Sequence, residues 1–179
     1  MSRFLWKTVV MGLAAGLVVG CATAMNVSSH VERGVDFRAF RTYQWGPADA
    51  LPTGDPRLDR NPYFKDLVQG AVERQMAGHG LAFRDQGRTD LLVHMHANVT
   101  DRVDPNRLDE WCGYTEGVAK DMTYEAGTIV IDVIDATSGR LIWRGWAQTS
   151  VAQMLPDRDR MRETIEAAVA RMFNQWPAL

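Results

Sequence analysis

Gly127-Thr128-Ile129-Val130-Ile131-Asp132-Val133-Ile134-Asp135, followed across Ala136-Thr137-Ser138-Gly139 by Arg140-Leu141-Ile142-Trp143-Arg144-Gly145-Trp146, decides the fold of this chain. Ile129, Val130, Ile131, Val133 and Ile134 are β-branched and suit a pleated surface. The short connection offers Gly139 for a positive φ, so Thr123–Asp135 and Arg140–Val151 read as a strand pair. On the second strand Leu141, Trp143, Gly145 and Ala147 are expected on one side, and Ile142, Arg144, Trp146 and Gln148 on the other. Neither side is wholly polar, so both faces are expected to be partly covered.

Working toward the N-terminus, Asp90–Thr100 alternates well. Leu91, Val93, Met95, Ala97 and Val99 fall on one face; Asp90, His94, His96, Asn98 and Thr100 fall on the other, with Leu92 the exception. Asp101–Met122 carries acids, Pro105, Gly113 and Gly117 and reads as a long connection. Leu81–Arg84 is a short strand candidate. Before it, Asn61-Pro62 opens a helix, with Asn61 as N-cap and Pro62 in the first turn. Phe64, Leu67, Val68, Ala71, Val72 and Met76 make its buried stripe, and Gly78 and Gly80 close it. Gly46–Arg60, with Pro47, Pro52, Gly54 and Pro56, reads as a loop. Asp36–Phe40 is a turn, Thr42–Trp45 a short strand and Asn26–Glu32 a first edge strand. At the other end Pro156-Asp157 starts a helix striped by Met161, Ile165, Ala168, Val169, Met172, Phe173 and Trp176, and Pro177 stops it. Helices segregated from a mainly antiparallel sheet predict an α+β fold of two layers, with both helices packed on one sheet face.

The first residues carry a different signal. Arg3 and Lys7 precede the apolar run Thr8–Val19, which is too short to span a bilayer, and Val18-Val19-Gly20-Cys21 follows. A basic start, a short apolar stretch and a small residue ahead of a cysteine predict a lipoprotein signal. Leu is usual where Val18 stands. The chain is expected to be cut before Cys21, whose thiol takes a diacylglyceryl group and whose new amino group is acylated. One acyl chain binds a membrane marginally, whereas two hold stably. The alternative is an ordinary secretory leader with a coincidental cysteine. Ala22, in place of an aspartate that favours inner-membrane retention, directs the expectation to the periplasmic face of the outer membrane. The predicted organisation is a signal peptide over 1–20, a lipidated cysteine and tether over 21–34, and one domain over 35–179.

Composition narrows the function. The 179 residues have a formal charge of −2, and the leader removes two cations and no acid. An acidic domain of this kind argues against nucleic acid and against a polybasic lipid-binding face. Its size supports one hydrophobic core, which needs neither disulfide nor metal. Lipidation of Cys21 leaves Cys112 unpaired, either as an inert thiol or as half of an intermolecular disulfide.

Four segments in order carry a resemblance. They are Asp36-Phe37-x-x-Phe40-x-Thr42-Tyr43-x-Trp45; Asp55-Pro56-Arg57-Leu58; Thr89-Asp90-Leu91-Leu92-Val93; and the strand pair Gly127–Asp135 with Leu141-Ile142-Trp143-Arg144-Gly145. Over about residues 27–177 the chain resembles a bacterial lipoprotein family classed only as a domain of unknown function. The resemblance implies an envelope lipoprotein of α+β fold. It brings no catalytic residues, because the family has no agreed activity. Members often carry a Gly/Tyr-rich stretch where this chain has the acids, Trp111 and Cys112 of 101–122.

Candidate chemistry is sparse. G-x-S-x-G, G-x-x-x-x-G-K-[ST], H-E-x-x-H and C-x-x-C are all absent. No catalytic residue and no cofactor beyond the acyl groups on Cys21 is expected, and the protein is expected to be a non-enzymatic binding or scaffold module. Its partners are then the membrane, through the anchor, and a protein or other component of the envelope. Trp111, Tyr114, Trp143 and Arg144 are the candidate binding residues, because Trp, Tyr and Arg dominate binding hot spots. Trp143 and Trp146 also fit a core. The alternative is a periplasmic metal or small-ligand protein. His94 and His96, two apart on a strand with Asp90 beside them, put both imidazoles on one face as some zinc sites require, although spacing identifies no third ligand. Asp101, Asp104, Asp109 and Glu110 lack the spacing of a calcium loop. Glu116, Asp121 and Glu125 would serve a hydrolase only if folding brought a pair into one cleft.

Overall fold

A computed structural model describes residues 25–46, 55–103 and 123–177. A sheet of six strands carries two long helices. The strands are β1 (Met25–Val31), β2 (Thr42–Trp45), β3 (Ala82–Phe83), β4 (Leu91–Val103), β5 (Thr123–Asp135) and β6 (Leu141–Ser150). The helices are α1 (Pro56–Asp59), α2 (Pro62–Gly78) and α3 (Arg158–Phe173), with a 3-10 turn at Phe37–Ala39. Strand order is β1-β6-β5-β4-β2-β3. The β1–β6, β6–β5 and β5–β4 pairings are antiparallel, whereas β2 lies parallel to both β4 and β3. The fold is therefore α+β with a mixed, mainly antiparallel sheet. The parallel pair follows from the route taken: a strand that returns through a helix re-enters in the same direction.

The local signals act as their chemistry dictates. Asn61 caps α2, its side chain accepting from the Phe64 amide at 3.2 Å, and Gly80 adopts a φ of +75° just past the helix. Asp157 caps α3 by accepting from the Asp159 and Arg160 amides. Gly139 takes a φ of +68° in the β5–β6 turn. Asp135 braces that turn by accepting from the Thr137 amide at 2.8 Å and the Ser138 hydroxyl at 2.7 Å.

One core fills the space between the layers. Val68, Val72 and Met76 of α2 and Ile165, Val169 and Met172 of α3 are fully buried together with Leu91, Val93, Ile131, Val133 and Trp143 of the sheet. Both long helices thus cover the same face. Trp143, Phe173 and Trp176 form an aromatic knot, with Trp143 5.0 Å from Phe173 and 5.2 Å from Trp176, centroid to centroid. No helix among the described residues is long and apolar enough to cross a membrane.

Four boundaries differ from the sequence expectation. The edge strand expected over Asn26–Glu32 forms as β1 over Met25–Val31, inside the stretch 21–34 assigned to the tether. Pro56–Asp59, read as loop, is α1, capped by Asp55. The Asp55 carboxylate grips the Arg57 guanidinium, which also donates to Glu125 Oε1 at 2.6 Å and so ties α1 to β5. Strand β4 runs to Val103 and pairs with β5 from Thr123, so the connection between them starts later than Asp101. Finally, α3 ends at Phe173, and Trp176 reaches the core from the turn that follows.

Candidate functional site

The face of the sheet opposite the helices is built by the register. His94, Asp132, Arg144 and His30 stand in one row across β4, β5, β6 and β1; His96, Val130, Trp146 and Ser28 stand in the next; Asn98, Thr128, Gln148 and Asn26 follow. Residues two apart on a strand share a face, so these rows form one surface. Its centre is an ion pair. Arg144 donates through Nε to Asp132 Oδ1 at 2.5 Å and through Nη2 to Oδ2 at 2.6 Å. Asp132 is only 5% exposed, whereas Arg144 remains open to solvent. The carboxylate's hydrogen bonds raise the Arg144 pKa further above its already high value. Such a fork geometry orients a guanidinium and leaves its remaining N–H donors for a ligand.

Histidine surrounds this pair. His96 Nε2 lies 3.8 Å from Asp132 Oδ2, while its Nδ1 is buried with no hydrogen-bond partner. The His94 ring packs on Gly46, where an added Cβ would come within 2.2 Å of its Nε2. Trp146 and Val130 are half-buried beside the ion pair, and Gln148 donates to Thr128 at 2.9 Å in the row beyond. The surface thus combines a fixed cation, an aromatic ring and amide and hydroxyl groups.

A second cationic feature lies at the end of the sheet where β4 begins. Arg38, Arg41, His79 and Gly80 line an open groove of about 300 Å³. Arg41 donates to the Phe40 carbonyl at 2.8 Å, so part of its charge serves the local turn.

The predicted site residues separate on this surface. His94 and His96 do share the helix-free face. Asp90 does not join them: it precedes β4, and its Oδ2 accepts from the Arg41 amide at 2.8 Å, the Thr42 amide at 2.9 Å and the Thr42 hydroxyl at 3.0 Å. These bonds, that of the Arg41 amide first, hold its carboxyl below the ordinary carboxylate range. Among the described residues no three His, Cys, Asp or Glu side chains gather as a metal site would require. Arg144 is on the exposed face, as a binding residue must be. Trp143 is not a surface anchor: it is fully buried on the opposite face against the helices. Glu125 is held by Arg57 rather than by a second carboxylate. Cys21, Trp111, Cys112, Tyr114, Glu116 and Asp121 lie outside the described residues. Asp132 escaped the sequence reading; its signal was an acid amid β-branched residues, opposite an arginine on the next strand.

The family described as a domain of unknown function, DUF4136, matches residues 27–178. The chain belongs to this family. No curated protein matches it significantly by sequence. Among solved structures, it is similar to a PDZ domain protein from Parabacteroides distasonis, with a TM-score of 0.55 at 19% identity. That likeness covers 88% of this chain and 37% of that one, so the chain spans little more than a third of its relative's length. It is also similar to the PelC dodecamer from Paraburkholderia phytofirmans, with a TM-score of 0.50 at 9% identity, over 86% of this chain and 99% of that one. At these identities both likenesses speak for the fold alone.

Proposed function

We propose that this domain is a lipid-anchored, non-enzymatic binding module of the bacterial envelope, held at the periplasmic face of the outer membrane by acyl groups on Cys21. The observation that carries the reading is Val18-Val19-Gly20-Cys21 behind a short basic and apolar leader, four residues ahead of the first strand of the domain. A chain cut there loses only the leader and keeps every strand of the sheet.

The helix-free face is the binding surface in this reading. Arg144 is oriented by Asp132 and stays open, and Trp146 lies beside it. Arginine and tryptophan are the residue types on which binding energy concentrates.

The anchor is tested by growing cells that express the full chain or Cys21→Ala with a palmitate analogue. The full chain should take up label and fractionate with membranes. The Cys21→Ala chain should take up none and appear soluble or unprocessed. Label persisting on the alanine variant defeats the reading.

A further inference from the structure

The two outermost strands of the sheet meet their surroundings differently. At one edge β3 is two residues long and runs into Arg84 and Asp85, so it presents little to a neighbour. At the other edge β1 pairs with β6 along all of Met25–Val31 without a register shift, and that stretch holds no Lys, Arg, Asp, Glu or Pro. Natural sheets blunt their edges with short strands, charges, prolines or bulges. The β1 edge has none of these. We infer that β1 pairs antiparallel with β1 of a second copy of this chain, about a two-fold axis at Ser29, and so joins two sheets into one. This pairing is independent of the lipid anchor.

The ladder shows which backbone groups are free for it. Glu32 donates to the Ile142 carbonyl at 2.9 Å, so Asn26, Ser28 and His30, which share its parity, turn their amides and carbonyls toward β6. Val27, Ser29 and Val31 turn theirs outward, where among the described residues they meet no main-chain partner. A second copy of the same strand supplies the complementary donors and acceptors. With Ser29 against its own copy, Val27 lies opposite Val31 of the second copy and Ser28 lies opposite its His30. Val27, Ser29 and Val31 then each exchange both main-chain bonds across the axis.

The side chains fit the same register. Val31 is 37% exposed on the helix side, and pairing sets it beside Val27 of the second copy, which packs on the margin of the core. On the helix-free side Ser28 meets His30, and beyond them Asn26 stands opposite Glu32. No like charges face each other, which would oppose pairing. A two-fold through such a pair runs perpendicular to the sheet, so both helix-free faces point the same way. The two Arg144–Trp146 surfaces come side by side with His30 and Ser28 at the seam. An edge this short makes a transient dimer rather than an obligate one, and covalent capture is the way to read it.

Disulfides between copies read the register. In a Cys112→Ser background, full chains carrying Ser28→Cys and His30→Cys under different tags are co-expressed and treated with a mild oxidant, and the Cys112→Ser chain alone sets the baseline. In the inferred register Ser28 and His30 of the second copy form a non-hydrogen-bonded pair with Cα atoms about 4.5 Å apart, within bridging distance. Ser28 and its own copy, or His30 and its own copy, stand about 8 Å apart, too far to bridge. The expected result is a mixed disulfide several-fold more abundant than either homodimer. Adding Val31→Lys to both chains should lower that yield several-fold, because a charge on the edge opposes pairing. Val31 is exposed, so the lysine leaves the fold intact, and circular dichroism of the purified variants checks this. Homodimers equal to or above the mixed species, no bridge above baseline, or a yield indifferent to Val31→Lys overturns the inference.

Discussion

Asp132 is the residue whose surroundings make the helix-free face more than a solvated surface. Its carboxylate is almost completely covered and bound by both arms of the Arg144 fork. Removing one partner of a covered ion pair leaves a charge without compensation, which costs more than losing both. Arg144→Ala should therefore destabilise the domain by about 1–3 kcal/mol, a value reduced from the fully buried case because the guanidinium is half in solvent. The double change to Asp132→Ala with Arg144→Ala should cost less than the two single changes summed, and urea denaturation of the four proteins of the cycle measures the coupling. Additive losses would show that the pair is not coupled. Acid acts on a different set of carboxylates. Asp90, Asp55, Asp135 and Asp157 all titrate below their ordinary range, each through hydrogen bonds that favour the charged form. A carboxyl whose pKa is lower folded than unfolded stabilises fully above its unfolded value, near pH 4, and loses that contribution as pH falls through the folded value. Thermal melts should hold steady from pH 7 to pH 5 and drop below pH 4. Asp90→Ala should melt lower at pH 7 and show a smaller acid-induced drop than the parent protein.

At the scale of elements, strand β6 shows how much a single irregularity decides. Ile142 and Trp143 are consecutive and both buried, which strict alternation forbids. The register shifts by one residue between Val133 and Ile134, a β-bulge that places Trp143 opposite Val133 and Arg144 opposite Asp132. The pattern of β6 was legible from Trp143 onward, where Trp143, Gly145 and Ala147 face the helices and Arg144, Trp146 and Gln148 face away. Ile142 broke the expectation because a bulge leaves no mark on local hydrophobicity. Pairing counted without a shift from the turn sets Asp132 against Trp143, so the ion pair could not be read by counting. Gly145 supports the same packing. A Cβ there would lie 2.3 Å from the Trp143 ring and 3.1 Å from the Met172 Cβ. Gly145→Ala should therefore destabilise by about 1–3 kcal/mol through overpacking, and a lowered midpoint in guanidinium with an unchanged slope checks this. An unchanged midpoint would mean that the indole moves aside without cost.

For the whole molecule, the shared core predicts one cooperative unit. Helices α2 and α3 bury their stripes against the same strands and share one core cluster among the described residues. Far-UV circular dichroism and tryptophan fluorescence should follow a single coincident transition on heating, and separated transitions would contradict a single core. The amino-acid sequence alone determined the helix caps, the two apolar stripes, the β5–β6 turn and the two-layer class, because each depends on neighbours within a few residues. It also carried the Cys21 signal, which is a local address. Tertiary structure alone decided the strand order, the pairing of β1 with β6, the parallel insertion of β2 beside β4 and the meeting of Asp132 with Arg144. Those outcomes depend on register between segments far apart in the chain, and register is set by how the sheet packs on its helices rather than by any residue's own preference.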